Sequence, residues 1–274
     1  IKAGNDLNCG STYLALAAAV RQGLVTEEEI DTALKRTMLS RFQLGLFDSP
    51  EECAFLNIPA SANMAPEHSR LALEAARKSI VLLKNESVLP LDRSKVGTIA
   101  VIGANADSVD ALLGNYNGDP ADPVTVLRGI RERAGEGIEI RHAVGSPLAL
   151  RPNQRYSVED QMAQEALAIA READVIVYVG GLDAHLEGEE MPTNYVGFDG
   201  GDRVSIELPK PQLDLLRALA ETGKPLVFVN MTGSAVALEG VEESIPAIVQ
   251  AWYPGQSGGH AVADVLFGDV NPGG

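Results

Sequence analysis

Apolar positions along this chain change their period repeatedly, and each change marks a new element. Leu14, Ala17, Ala18 and Val20 predict a short helix between Ser11 and Gln22. Thr26 followed three positions later by Glu29 is a capping-box pair. The helix it opens carries Ile30, Ala33, Leu34, Thr37, Met38 and Phe42 on one face and stops at Gly45. Pro50, Pro59 and an acidic turn fill residues 48–65, which read as a linker. A second body opens near Pro66. Its pattern predicts helices over 67–78, 124–134, 158–171, 212–221 and 260–267. Strands are predicted over 79–83, 98–102, 138–140, 174–179, 226–229 and 247–252. Continuous Val/Ile runs alternating with helices predict an α/β fold, a mostly parallel sheet flanked by helices on both faces.

One connection breaks this rhythm. Between the run Val175–Val179 and the helix beginning near Lys210 lie roughly thirty residues, Gly180–Pro209, whose only period is a brief alternation from Val204 to Leu208. Connections in compact α/β domains usually take about 2–6 residues, and much longer ones tend to be functional or disordered. This one carries Glu187, Glu189, Glu190 and Glu207, three aspartates, His185, Tyr195 and Arg203. Met191, Pro192, Tyr195, Val196 and Phe198 supply apolar anchors, so it does not read as a flexible spacer.

Composition narrows the function classes. Lys and Arg number 22 against 38 Asp and Glu, a net charge of −16, which argues against a nucleic-acid backbone as partner. Hydrophobic content of 45% and charged content of 22% are those of a globular domain. No apolar stretch approaches the ~20 residues that span a bilayer, so no membrane is expected as partner. Cys9 and Cys53 form no CxxC and no metal spacing; a disulfide framework is excluded, though one bridge between them is not. The chain opens in mid-motif with Ile1-Lys2-Ala3-Gly4, as an excised piece would. The compartment therefore stays open, with secretion or a periplasmic location compatible.

Ligands of open parallel sheets gather beyond the carboxyl ends of the strands. Four features fall there: Gly103–Asp107, the loop from Gly180, Asn230–Ser234 and Tyr253–Gln256. The first lacks GxGxxG, and no GxxxxGK[ST] occurs, so a nucleotide cradle is not supported. Gly255-Gln256-Ser257-Gly258-Gly259 fits the GxSxG nucleophile elbow. Its triad partners should follow as an acid and then a histidine, but only seventeen residues remain and His260 precedes Asp264. A metal set of His185, Glu187, Glu189 and Glu190 lacks HExxH and competes with a plain solvated surface. The remaining reading is a general acid, set against a plain acidic surface loop, which spacing alone does not exclude. Glycoside hydrolysis needs one carboxyl group that gives a proton, beside a second that attacks the sugar or activates water.

The segments IKAGNDLNCG, VTEEEIDTALKRTMLSRFQLGLFD, ARKSIVLLKNESVLPL, IAVIGANAD, LLGNYNG and AWYPGQSGGHAVADVLFGDVNPGG, in this order, resemble glycoside hydrolase family 3 over nearly the whole chain. HLEGEEM with GGDRVSIELP and LVFVNMTGSAVAL resembles its β-xylosidase branch most, and β-glucosidases share much of the pattern. The resemblance implies a (β/α)8 barrel carrying an aspartate nucleophile, followed by an α/β sandwich of about six strands that lends the acid/base glutamate. Residues 1–47 would then be the end of the barrel, 48–65 the linker and 66–274 the sandwich. It also implies retaining, exo-acting hydrolysis of an oligosaccharide or aryl glycoside, with no metal or organic cofactor, and makes the GxSxG match a structural turn. The nucleophile motif has no match here, so the piece alone is expected to be inactive.

For the acid/base residue, aligning on Leu-Glu-x-Glu selects Glu189, with Glu187 second and Glu190 third. The small residue expected after it argues for Glu187, which Gly188 follows, and Met191–Gly201 stands as an insertion before Asp202-Arg203. Arg203 is expected to brace a carboxylate or the loop backbone. Asn115 and Tyr116, in the family's GNY loop, and Met191 are the expected substrate contacts. Lys84-Asn85 would reach the site or cap the sheet, and Asp6 would support the barrel rim. The rivals are a β-glucosidase with the same machinery and a non-catalytic flavodoxin-like binding module.

Overall fold

The computed structural model describes residues 1–274, which divide into two compact units, Ile1–Asn63 and Met64–Gly274. In the first unit, helices α1 (Leu16–Arg21) and α2 (Glu27–Gln43) follow a 3-10 turn at Thr12–Ala15. The predicted helix over 11–22 is split in this way, its first turn being 3-10 and the rest α. On α2 the capping box forms: Glu29 N donates to Thr26 Oγ1 (3.2 Å) and Thr26 N to Glu29 Oε2 (2.9 Å). Of its predicted apolar face only Ala33 is buried, while Leu34 and Phe42 stay 47% and 60% exposed. Asp6 accepts a hydrogen bond from the Arg36 guanidinium of α2 at 3.1 Å. Cys9 is exposed, Cys53 is buried, and both are free thiols.

The second unit runs α3 (Pro66–Ser79), β1 (Val81–Asn85), β2 (Thr98–Ile102), α4 (Val126–Ala134), β3 (Glu139–Ala143), α5 (Gln161–Glu172), β4 (Val175–Gly181), β5 (Phe198–Asp199), β6 (Asp202–Arg203), α6 (Lys210–Ala220), β7 (Leu226–Met231), β8 (Ala247–Gln250) and α7 (Gly258–Leu266). Six strands form one sheet in the order β1-β8-β7-β4-β2-β3. All neighbours are parallel except β1, which pairs antiparallel with β8 at the edge. A two-stranded antiparallel ribbon, β5–β6, stands apart.

The uninterrupted apolar runs follow from burial on both faces. Val175, Val177 and Val179 of β4 face one core with Val227, Val229 and helices α3, α4 and α7. Ile176 and Tyr178 face the opposite core with Phe228 and helices α5 and α6. On α6, Leu213, Leu215, Leu216 and Leu219 are buried, each worth about 1.5–3 kcal/mol relative to exposure.

Beneath α7 sits a buried ion-pair node. Asp264, 3% exposed, accepts from Arg77 Nε at 2.7 Å and pairs with Arg133 at 2.8 Å. Asp264→Asn should lower unfolding free energy by about 2 kcal/mol in urea titration. That is below the usual cost of breaking a buried pair, because the orphaned arginines can turn toward water. A change under about 0.5 kcal/mol would mean that the node is merely a surface pair.

Candidate active site

Parallel pairing brings the carboxyl ends of β4, β7 and β8 to one edge, and three segments meet there. Leaving β4, the long loop is turned by Asp183, whose Oδ1 accepts the N–H groups of His185 (3.0 Å) and Leu186 (3.1 Å). Burial pushes the Asp183 carboxyl up, against the opposing pull of His185 and of those two N–H groups. Leu182 and Leu186 are buried and pack with Ala149, Tyr195 and Phe198 in a small satellite core. Tyr195 and Phe198 are therefore real anchors, whereas Val196 is exposed.

Glu187 is held from every side. Its Oε1 accepts Gly233 N at 2.7 Å, Thr232 Oγ1 at 3.2 Å and the Tyr253 hydroxyl, and its Oε2 accepts the Ser234 hydroxyl. Those donors come from the segments after β7 and β8. Burial first, and then the Glu187 carboxylate, push the Tyr253 hydroxyl far above the ordinary tyrosine range, so it stays a donor. Glu189, two residues on, is exposed and accepts one hydrogen bond, from the Tyr116 hydroxyl. That bond and the Glu189 charge raise the Tyr116 pKa.

Glu189 lies between two hollows. One, of about 650 Å³, is lined by Asp110, Asn115, Tyr116, His185, Glu189 and Met191. The other, of about 480 Å³, is lined by Asn115, Glu187, Glu189, Arg203 and Ser234 among others. Asn115, Tyr116 and Met191 thus stand around Glu189, and Asn115 Nδ2 also reaches the Glu187 carbonyl at 3.4 Å. Glu190 lines neither hollow and holds a left-handed backbone, φ +47°.

The segment from Met191 to Gly201 is an excursion with a pinched neck. Met191 N donates to Gly200 O at 3.0 Å, and a Cβ on Gly201 (φ +90°) would stand 2.0 Å from the Gly188 carbonyl oxygen. Only glycine admits that approach and that φ together. Arg203 closes the far side by donating to Ser234 Oγ (3.1 Å), Ala235 O (2.7 Å) and Glu207 O (2.8 Å). It braces backbone and a hydroxyl rather than a carboxylate. The alternation from Val204 to Leu208 does not become a strand: Val204 and Ile206 are exposed, and a single bridge joins Glu207 to Ala237.

Other candidates separate from this site. His185 faces Asp110 at 3.4 Å while Glu187 is occupied by its donors, so the proposed metal set does not converge. Lys84 reaches the Glu242 carbonyl at 2.9 Å, and Asn85 caps the turn at Val88 and Leu89. Because β1 is antiparallel, Asn85 lies beside Ala247, at the amino end of β8 and away from the site.

The GxSxG segment is a packing device. His260 Nε2 bonds Glu132 Oε2 at 2.6 Å, and Asp264 is committed to Arg77 and Arg133, so neither orients Ser257. Ser257→Ala should leave the melting temperature unchanged, and a serine-directed fluorophosphonate should not label the chain; labelling that is lost in Ser257→Ala would restore the elbow.

Sequence reading placed Thr232, Ser234 and Tyr253 at the right edge but gave them no part in the site. Their tie to Glu187 spans 45 residues or more of chain and no local spacing encodes it.

Fold and loop together describe an α/β domain with an anchored carboxylate, Glu187, and an exposed one, Glu189, beyond the carboxyl edge of its sheet. The profile of the "Glycosyl hydrolase family 3 C-terminal domain" matches residues 80–274, and the chain belongs to that family. It is 31% identical to a xylan 1,4-beta-xylosidase of Xylanibacter ruminicola, over all of this chain and 48% of the relative. It is 35% identical to a periplasmic beta-glucosidase of Salmonella typhimurium, over all of this chain and 37% of the relative. Among solved structures, the GH3 exo-beta-xylosidase XlnD, in complex with a xylobiose aziridine probe, superposes with a TM-score of 0.85. It shares 33% identity over all of this chain and 33% of that one. The chain spans half or less of the length of these relatives.

Proposed function

We propose that this chain is the C-terminal part of a retaining, exo-acting β-glycosidase that removes terminal β-D-xylosyl residues from xylo-oligosaccharides, and that it supplies the acid/base glutamate, Glu189. One observation carries the choice. Of the three clustered glutamates, Glu189 alone borders both hollows with its carboxylate unclaimed by backbone or buried donors. A proton donor must be free to reach the glycosidic oxygen, whereas both oxygens of Glu187 are already engaged by donors on the segments after β7 and β8.

In the first step Glu189 gives its proton to the leaving oxygen while a carboxylate on the remainder of the protein bonds to the anomeric carbon. In the second, Glu189 takes a proton from the water that releases the sugar. Asn115, Tyr116 and Met191 contact the substrate around it, and the Tyr116 hydroxyl orients the acid. Residues 1–47 are the end of the barrel, followed by a linker over 48–65. The bare apolar face of α2 and the partial coverage of the relatives support that division. The chain alone therefore lacks the nucleophile and turns nothing over.

Chemical rescue tests the assignment: azide should restore turnover to the Glu189→Ala form of the longer protein. A β-glucosidase with the same machinery is the second reading, supported by the similar identity to the Salmonella enzyme. The ratio of kcat/KM on aryl xyloside and aryl glucoside decides between them.

A further inference from the structure

We propose that Glu187 is a positioning residue, which fixes the proton donor Glu189 by clasping its loop to the carboxyl ends of β7 and β8. The inference rests on the reading of Glu189 as acid/base.

The clasp is unusually complete. A carboxylate offers about four lone-pair positions, and here both oxygens are engaged: Oε1 by Gly233 N and the Thr232 and Tyr253 hydroxyls, Oε2 by the Ser234 hydroxyl. Its floor is rigid. Thr232 is fully buried, its carbonyl accepts Gln250 Nε2 at 3.1 Å, and Gln250 Oε1 in turn accepts Asn230 Nδ2 at 2.7 Å. Arg203 steadies the Ser234 hydroxyl from the other side. Tyr253 stands against Gly233, where a Cβ would come within 3.0 Å of the ring, so ring and loop pack without slack. Charge-assisted bonds of this kind are roughly twice as strong as neutral ones.

Glu189, by contrast, has little to hold it. Its hydrogen bond is to Tyr116, itself 90% exposed and on a separate loop. The neighbouring excursion closes on itself through Gly188, Met191, Gly200 and Gly201 rather than on the sheet. One residue, Gly188, separates the exposed acid from the clasp. Glu187 is thus the point at which the rigid sheet edge transmits its position to Glu189. A shift of about 1 Å in a reacting group can cost on the order of 100-fold in rate.

The test uses the longer protein and two substrates. An unactivated phenyl glycoside needs the proton when its bond breaks, and a dinitrophenyl glycoside does not. Glu187→Ala should lower kcat/KM on the first by about 10–100-fold and on the second by under about threefold, because only the proton delivery is misplaced. Glu187→Gln keeps an oxygen for Gly233 N and should recover most of the loss, and Tyr253→Phe should show a smaller loss of the same selectivity. Azide should rescue none of these variants, since the acid/base carboxylate is still present.

Equal losses on both substrates, tracking a fall in melting temperature, would overturn the inference in favour of a purely structural role. Azide rescue of Glu187→Ala would overturn it in the other direction, by making Glu187 itself the acid/base. If Glu189→Ala is selective and rescued while Glu187→Ala is neither selective nor impaired, only the clasp falls. If Glu189→Ala is not selective, the underlying reading falls first.

Discussion

Glu189→Ala in the longer protein is expected to lower kcat/KM on an unactivated glycoside by about 10²–10⁴-fold, the range for losing a positioned proton donor. That corresponds to about 2.7–5.5 kcal/mol of transition-state stabilisation. The loss should depend on the leaving group. Dinitrophenolate departs without a proton, so cleavage of its glycoside stays fast. The covalent glycosyl intermediate then accumulates, because the base that activates water is gone. Stopped-flow traces should show a burst of phenolate followed by a slow steady state. Azide needs no base; it should attack the intermediate, restore kcat and leave a glycosyl azide of the starting anomeric configuration. Uniform losses on all substrates without azide rescue would move the acid/base role away from Glu189.

The second large effect is on stability. Helices α4 and α7 cross at Gly129 and Gly259, with backbone against backbone. A Cβ on Gly259 would sit 1.9 Å from the Thr125 carbonyl oxygen, and one on Gly129 would sit 2.1 Å from the Gly259 oxygen. Two hydrogen bonds lock this crossing, Gly259 N to Val124 O at 2.8 Å and Val124 N to Gln256 O at 2.7 Å. Overpacking a core usually costs 1–3 kcal/mol. Here the obstacle is main chain on both sides, which cannot step aside by changing rotamer. Gly259→Ala should therefore destabilise by about 3 kcal/mol or more in urea unfolding, and Gly129→Ala by a similar amount. The double variant should cost less than their sum, since either methyl group already forces the helices apart. A fall below about 0.5 kcal/mol for Gly259→Ala would show that the crossing has slack.

The GxSxG match thus divides into its parts: Gly259 serves helix packing, Gly255 a turn at φ +76°, and Ser257 has no partner that would activate it. A short motif is a set of residue types at a spacing, and that spacing is compatible with more than one physical demand. Here the demand is close approach of two helices, which no reading of residues 255–259 alone exposes.

Much of the rest was legible. The apolar runs placed every strand of the main sheet to within two residues at its start, because burial on both faces leaves an unbroken Val/Ile signature. The Thr26–Glu29 pair announced a capping box whose two bonds form as expected. The over-long connection after β4 pointed to the edge where Glu187 and Glu189 stand. Less legible were the antiparallel direction of β1, which took Lys84 and Asn85 away from that edge, and the absence of a strand over Val204–Leu208. Strand direction and pairing depend on which edges are free to accept a partner, and alternation alone does not record that.

The long loop shows the division most plainly. By itself the sequence determined that a carboxylate-rich, apolar-anchored excursion leaves the middle of a buried parallel sheet, and its motifs resembled glycoside hydrolase family 3. It left Glu187 and Glu189 nearly interchangeable, because the two differ by a single intervening glycine and by no composition. Tertiary structure separated them. Thr232, Gly233, Ser234 and Tyr253 converge on Glu187 only because β7 and β8 end beside β4. Glu189 is left facing the open hollows. Which of two like carboxylates is anchored and which is free is a matter of donors brought in from distant segments, and only the folded sheet brings them together.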